Sequence, residues 1–172
     1  IFSVVDHVLI RPLGYPHEDR LVYLLQHGKA GNQRLVSYPT LQDWAQSAPG
    51  FDGMSFVRGD RVRLAMPGGP EPLLAAFVSP GFFHLIGTPP ELGRTFVPEE
   101  ELSSGTSTVV LSHELWVRLF ASDPKIIGRT VSFDSGTAVV IGVMPSNFAI
   151  PSFADLWQPI SQIIDREPVL KR

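Results

Sequence analysis

Between Thr108 and Met144 the chain switches from strand to helix to hairpin with almost no spacer, and that succession limits what it can fold into. Thr108-Val109-Val110-Leu111-Ser112 reads as a short strand rich in β-branched residues. Ser112 also serves as a helix N-cap, and Glu114 sits in the first turn, where a negative charge favours the helix dipole. Leu115, Trp116, Leu119 and Phe120 form the face to be buried, while Glu114 and Arg118, four apart, lie on the wet one. Asp123-Pro124 prevents further helix. Thr130 to Asp134 places Val131 and Phe133 on one side of a strand, Ser135-Gly136 turns, and Thr137 to Met144 pairs back. Such short elements fit an α+β or a β-rich fold.

Upstream, Val78-Ser79-Pro80-Gly81-Phe82-Phe83-His84-Leu85-Ile86-Gly87 predicts a helix of about two turns, capped by Ser79, with its first φ set by Pro80 and a left-handed stop at Gly87. Leu92-Gly93-Arg94-Thr95-Phe96 and an acidic Glu99-Glu100-Glu101 lead to the strand at Thr108. Leu21-Val22-Tyr23-Leu24-Leu25 is a short apolar run that predicts a strand covered on both faces. Ser37 to Thr40 opens a helix with Leu41, Trp44, Ala45 and Ala48 on one face, ended by Pro49-Gly50. Met54 to Val57 and Arg61 to Met66 read as strands, Pro67-Gly68-Gly69-Pro70 as a hairpin turn, and Leu73 to Val78 as the returning strand. After Pro145, Asn147 and Pro151 mark a crossover toward Leu156-Trp157-Gln158-Pro159-Ile160.

The chemistry these residues offer is sparse. A net charge of −3, with arginines scattered among acids, argues against a nucleic-acid binder. Sixteen Pro and fifteen Gly imply many turns and short elements, and the absence of Cys excludes disulfides and thiolate chemistry. None of His7, His17, His27, His84 and His113 has a second His three or four residues away, so no zinc pattern forms. His84 reads as a helix-surface or interface residue, and His113 as a polar residue of a first helical turn. Ser122-Asp123-Pro124-Lys125 has the spacing of an acylating serine and lysine, but Pro124 intervenes and the companion motifs are missing. There is no nucleophile elbow, P-loop or dinucleotide fingerprint. The three consecutive glutamates read as a solvated acidic loop, and Trp44, Trp116 and Trp157 as core residues. Asp43, Asp60, His84 and Asp134 could supply a hydrolase, although nothing in their spacing selects them. A free carbohydrate- or peptide-binding module is the rival, and it requires an open groove lined by exposed Trp or Tyr. No run approaches the roughly 20 apolar residues of a membrane span. The chain begins without Met inside the apolar Ile1 to Ile10, as a piece of a longer protein would.

Five short signatures in order, V-S-P-G-F-F-x-x-x-G, L-G-R-T-F, V-V-L-S-x-x-L-W, I-G-R-T-V and V-V-I-G-V-M-P, resemble the extracytoplasmic core domain of MacB-type permeases, the FtsX-like membrane subunits of ABC transporters. The resemblance runs through most of the chain and fades after Ile160. It implies a two-lobed fold: 1–14 as the end of a first transmembrane helix, 15–76 as a β-α-β membrane-proximal, porter-like lobe, 77–145 as a β-rich distal, sabre-like lobe, and 146–172 as an incomplete return. Its structural signature falls on Ser79, Pro80, Gly81, Phe82, Phe83, Gly87, Gly93, Arg94, Trp116, Gly128, Arg129 and Gly142, with Arg11 and Pro12 as juxtamembrane hinge candidates. It further implies a non-catalytic domain at the periplasmic or extracellular side of the cytoplasmic membrane, which transmits ATP-driven motion. The chain itself would hold no cofactor, since ATP would be bound by a separate or fused nucleotide-binding domain. The partners implied are that nucleotide-binding subunit, a second permease copy and a periplasmic adaptor or other extracytoplasmic protein, with membrane contact through flanking helices.

Overall fold

A computed structural model describes residues 15–16, 18–24, 26–27, 33–34, 36–97, 99–100 and 107–164. Arg11, Pro12, His7, His17 and Glu101 lie outside the described residues. In chain order the elements are β1 (Gln26–His27), β2 (Gln33–Arg34), α1 (Tyr38–Ser47), β3 (Val57–Met66), β4 (Gly69–Val78), α2 (Phe82–Ile86) and β5 (Leu92–Gly93). They continue with β6 (Thr108–Leu111), α3 (His113–Phe120), β7 (Thr130–Phe133), β8 (Gly136–Val143), β9 (Leu156–Pro159) and α4 (Ser161–Ile164).

Seven of the strands form one sheet in the order β5-β8-β6-β9-β4-β3-β7. Because β8 also pairs with β7, six of them close into a ring and β5 is appended to the end of β8. The closing seam between β3 and β7 is short: Leu64 lies opposite Phe133, and the Asp134 N–H donates to the Arg63 carbonyl at 3.1 Å. The pairs β4–β9 and β6–β8 are parallel and all others antiparallel. Parallel neighbours require crossovers, which explains why α3 and the β7 hairpin intervene between β6 and β8.

Side chains of the central strands alternate between two packed faces, as the strand period of two dictates. Ala75, Phe77, Val109, Leu111, Val140 and Leu156 join one cluster with Leu115 and Trp116 of α3. Ala76, Val78, Val110, Ile141 and Trp157 join the other, with Phe82, Phe83 and Ile86 of α2 and with Phe148. Burial on both faces accounts for the β-branched run at Thr108, where all four strand residues are buried.

Several local expectations hold. The Ser112 hydroxyl accepts the Leu115 N–H at 3.1 Å, and Ser37 caps α1 through the Thr40 N–H. Val131 and Phe133 are buried, and the expected hairpin forms, with its turn one residue earlier, over Asp134-Ser135, and Gly136 as the first residue of β8. Other expectations fail for tertiary reasons. Residues 21–24 form no strand, and Val22 and Tyr23 are 48% and 61% exposed, since an apolar run becomes a strand only where a neighbour pairs with it. Residues 54–56 form no strand; β3 begins at Val57 and runs without a break into the strand expected at 61–66, through Gly59, where the Phe153 ring occupies the place of a side chain, 2.8 Å from an ideal Cβ. The hairpin turn is Pro67-Gly68 alone. Of the face expected on α1 only Leu41 is fully buried; Ala45 is exposed. The lobe boundary expected at 76/77 falls inside β4, and β9, expected in the return segment, lies between β4 and β6, so 57–159 contributes to a single sheet.

Candidate functional site: a neck and a glycine seam

The chain enters the sheet at Phe56 and leaves it at Ile160, and both points meet the end of β4. The Ser79 N–H donates to the Phe56 carbonyl at 3.0 Å, and the Ile160 N–H donates to the Val78 carbonyl at 2.8 Å. An antiparallel rung would return the Phe56 N–H to the Ser79 carbonyl, but that carbonyl accepts the Phe82 N–H at 3.3 Å as α2 begins. The Ser79 hydroxyl takes over the rung, accepting the Phe56 N–H at 2.7 Å and lying 3.0 Å from the Ser55 hydroxyl. Ser79 is 2% exposed, so this is a buried replacement. It corrects the expected role of Ser79: the N-cap of α2 is Gly81, with φ 81°, no side chain caps the helix, and Pro80 lies before it. Gly87 does end α2 in the left-handed region, with φ 74°.

Around this neck Phe56, Leu41, Ile160 and Ile163 share one cluster, and the Tyr38 and Phe56 rings meet edge-on at 6.0 Å. On the opposite face Phe83 contacts Phe82 at 5.2 Å, Phe96 at 5.5 Å, Phe148 at 5.8 Å and Trp157 at 6.0 Å. The signature pair Phe82-Phe83 therefore wedges α2 onto the sheet beside the neck. Ser79→Ala leaves a buried N–H without its acceptor, and urea unfolding should show a loss of about 1–3 kcal/mol. A loss under about 0.5 kcal/mol, the range of neutral surface changes, would mean that the hydroxyl is not the rung.

Gly93, Arg94, Gly128 and Arg129 converge on one side of β8, the strand that carries Gly142. Leu92 and Gly93 pair with Val143 and Gly142, and the Arg94 N–H donates to the Ile141 carbonyl at 2.9 Å. Farther back along the same strand the Gly128 N–H donates to the Val140 carbonyl at 2.8 Å, and the Val140 N–H to the Arg129 carbonyl at 2.9 Å. Both G-R-T triplets thus dock on β8, each through a left-handed glycine, with φ 69° at Gly93 and 85° at Gly128. The repeated triplet is the sequence signal for this convergence. At the Gly93–Gly142 contact the backbones approach so closely that an ideal Cβ on Gly142 lies 2.2 Å from the Arg94 carbonyl oxygen, and one on Gly93 lies 2.1 Å from that of Ile141.

Arg94 anchors the chain beyond this seam. Its guanidinium grips both Glu100 oxygens, at 2.7 and 2.8 Å, and Glu100 also accepts the Val97 N–H at 3.1 Å. These bonds, led by the one from Arg94, hold the Glu100 carboxyl below its ordinary range, while the same bond raises Arg94. Glu100 is therefore not part of a merely solvated loop, as its two acidic neighbours had suggested. Arg129 meets Asp123 at 3.6 Å with more than half of its side chain exposed, a pair of small energetic consequence. Arg118 turns to Glu71 of β4 instead of to Glu114.

Trp116 and Trp157 are buried, and their indole N–H groups donate to the Asp123 and Ile150 carbonyls, each at 3.0 Å. Trp44 is half-buried on α1. Asp43, Asp60, His84 and Asp134 are exposed and lie on α1, β3, α2 and the β7–β8 turn. His113 contacts Glu91 at 2.7 Å. Among the described residues no group of three or more His, Cys, Asp or Glu side chains could hold a metal ion, and no helix is long and apolar enough to cross a membrane.

Comparison with known proteins agrees with this architecture. The extracellular domain of the noncanonic ABC-type transporter YknZ from Gram-positive bacteria is similar with a TM-score of 0.65 at 14% identity, over 82% of this chain and 73% of that one. The periplasmic region of MacB from Actinobacillus actinomycetemcomitans is similar with a TM-score of 0.60 at 16% identity, over 83% of this chain and 65% of that one. At these identities the likeness is one of fold. No curated protein sequence matches the chain. The sequence pattern of one family, however, runs from residue 1 to residue 169: the chain belongs to the MacB-like periplasmic core domain family.

Proposed function

We propose that this chain is the extracytoplasmic part of an ABC transporter permease subunit and passes motion of flanking membrane helices to the sheet through the neck. The observation that carries this reading is the meeting of entry and exit. Phe56 and Ile160 are both bonded to consecutive residues at the end of β4, so a displacement of the flanking segments acts on the sheet at one place. A sheet closed into a ring moves as a unit when pushed there, because its strands have few independent ways to deform. In this reading residues before Phe56 belong to a membrane-proximal lobe, Arg11 and Pro12 lie at the membrane exit, and the sheet is the distal lobe. ATP is bound and hydrolysed by a nucleotide-binding subunit or domain, a second permease copy completes the assembly in the cytoplasmic membrane, and this chain does no chemistry of its own.

The test uses the complete permease with its ATPase in proteoliposomes, spin-labelled at Gly68→Cys on the hairpin tip of each copy. ATP with vanadate should change the distance between the labels, and a four-residue Gly-Ser insertion after Ile160 should abolish that change while ATP is still bound. Identical distance distributions in all nucleotide states would sink the transmission reading.

A further inference from the structure

The outer face of the β3–β4 hairpin carries a feature that neither the neck nor the seam requires. Arg61 and Arg63 are two apart on β3, so their side chains leave the same face, and both are exposed. Across the ladder they sit opposite Leu74 and Pro72 of β4, also exposed. Arg61, Val62, Arg63, Pro72 and Asp134 line a shallow open groove. Asp134 is turned toward the Arg63 backbone, whose N–H it accepts at 3.4 Å, and among the described residues neither guanidinium takes part in an ion pair. Beside the groove Phe153 covers Gly59, two residues before Arg61 on β3, and remains 42% exposed; Leu74 is 38% exposed.

The charge here runs against the rest of the molecule. The chain carries −3 overall, whereas the groove holds Arg61 and Arg63 against Asp134 alone. Arginine beside an exposed aromatic ring is the composition enriched where protein surfaces are buried by partners. Two guanidiniums on alternate residues of a strand are roughly 7 Å apart at their roots, which is the repeat of carboxylates at alternate positions of another extended chain. From this match we infer that the groove binds an extended acidic segment of a partner protein, with acidic side chains at i and i+2 on Arg61 and Arg63 and an apolar residue against Leu74 and Phe153. The inference rests on the reading of the sheet as the distal lobe, and it adds the chemistry of a partner that this lobe would meet.

The chain itself, labelled with nitrogen-15, is titrated at low salt with the capped peptide Glu-Val-Glu-Val-Glu. Amide shifts should concentrate at residues 61–63, 73–74, 134 and 153. Arg61→Glu/Arg63→Glu should weaken binding about tenfold or more, since two exposed charge contacts are reversed, and should bind Lys-Val-Lys-Val-Lys instead. Both positions are exposed, so an unchanged amide spectrum away from β3 will verify the fold of the double variant. Scattered shifts, no saturation in the millimolar range, or equal binding of the wild type to both peptides would overturn the inference. So would binding of this face to vesicles with 30% phosphatidylglycerol in the absence of any peptide effect, which would assign it to lipid. None of these outcomes touches the spin-label distances, so failure here leaves transmission through the neck standing, and failure there leaves peptide binding measurable.

Discussion

Gly142→Ala is expected to lower the unfolding free energy by about 3 kcal/mol or more, the upper part of the range for overpacked sites. The reason lies in what the new methyl group meets. It would sit 2.2 Å from the Arg94 carbonyl oxygen and 3.3 Å from that of Leu92, which are backbone atoms with no rotamer to change. Relief requires β5 to move off β8, and that breaks the Leu92–Val143 and Gly93–Gly142 pairing together with the Arg94 N–H bond to Ile141. Gly93→Ala meets the Ile141 carbonyl at 2.1 Å and is also forced to hold φ at 69°, so it should be at least as damaging. Gly68→Ala is the control, for nothing lies within 4 Å of its Cβ and the change should be nearly neutral. Urea midpoints of the three variants decide the matter; a Gly142→Ala midpoint near that of Gly68→Ala would show that the strands part without cost.

This seam also marks where sequence reading stops. Gly93 and Gly142 stand out as members of recurring short signatures, but that they touch follows from the antiparallel pairing of β5 with β8 across the intervening β6, α3 and β7, which no local pattern encodes. The same holds for Ser79. Ser-Pro-Gly before an apolar run resembles a helix start, whereas the hydroxyl is taken by the N–H of a residue 23 positions earlier. By contrast, α3 and the β7–β8 hairpin were legible because their determinants are local: Ser112 caps its own helix, and residues 134–135 turn between strands adjacent in sequence. Arg94 and Glu100 are six apart, a separation at which neither helical nor strand spacing predicts a pair. Leu21 to Leu24 failed in the other direction, since hydrophobicity supplied a strand signal without a neighbour to receive it.

Trp157→Ala should be the other most damaging single change, at about 3–5 kcal/mol, because it removes the largest fully buried side chain and leaves a cavity that its surroundings cannot close. Trp157 is on β9, the strand that joins β4 to β6, and its ring meets Phe148 at 5.2 Å and Phe83 at 6.0 Å. These contacts tie α2 and the 145–155 crossover to the sheet. Its indole N–H holds the Ile150 carbonyl, so the crossover loses a hydrogen bond along with the packing. Trp157→Phe keeps most of the volume and loses the bond, and should fall about 1–2 kcal/mol short of the wild type, near the cost of one hydrogen bond to a partly buried carbonyl. Trp116→Ala separates local packing from this role: Trp116 is also buried but belongs to the α3 face, so its loss should leave the Phe83 and Phe148 environment intact. Amide exchange read alongside denaturation makes the distinction. Protection should drop in α2 and in residues 145–155 for Trp157→Ala and in α3 for Trp116→Ala. A uniform loss in both would mean that the two faces of the sheet unfold as one unit and that α2 is not separately pinned beside the neck.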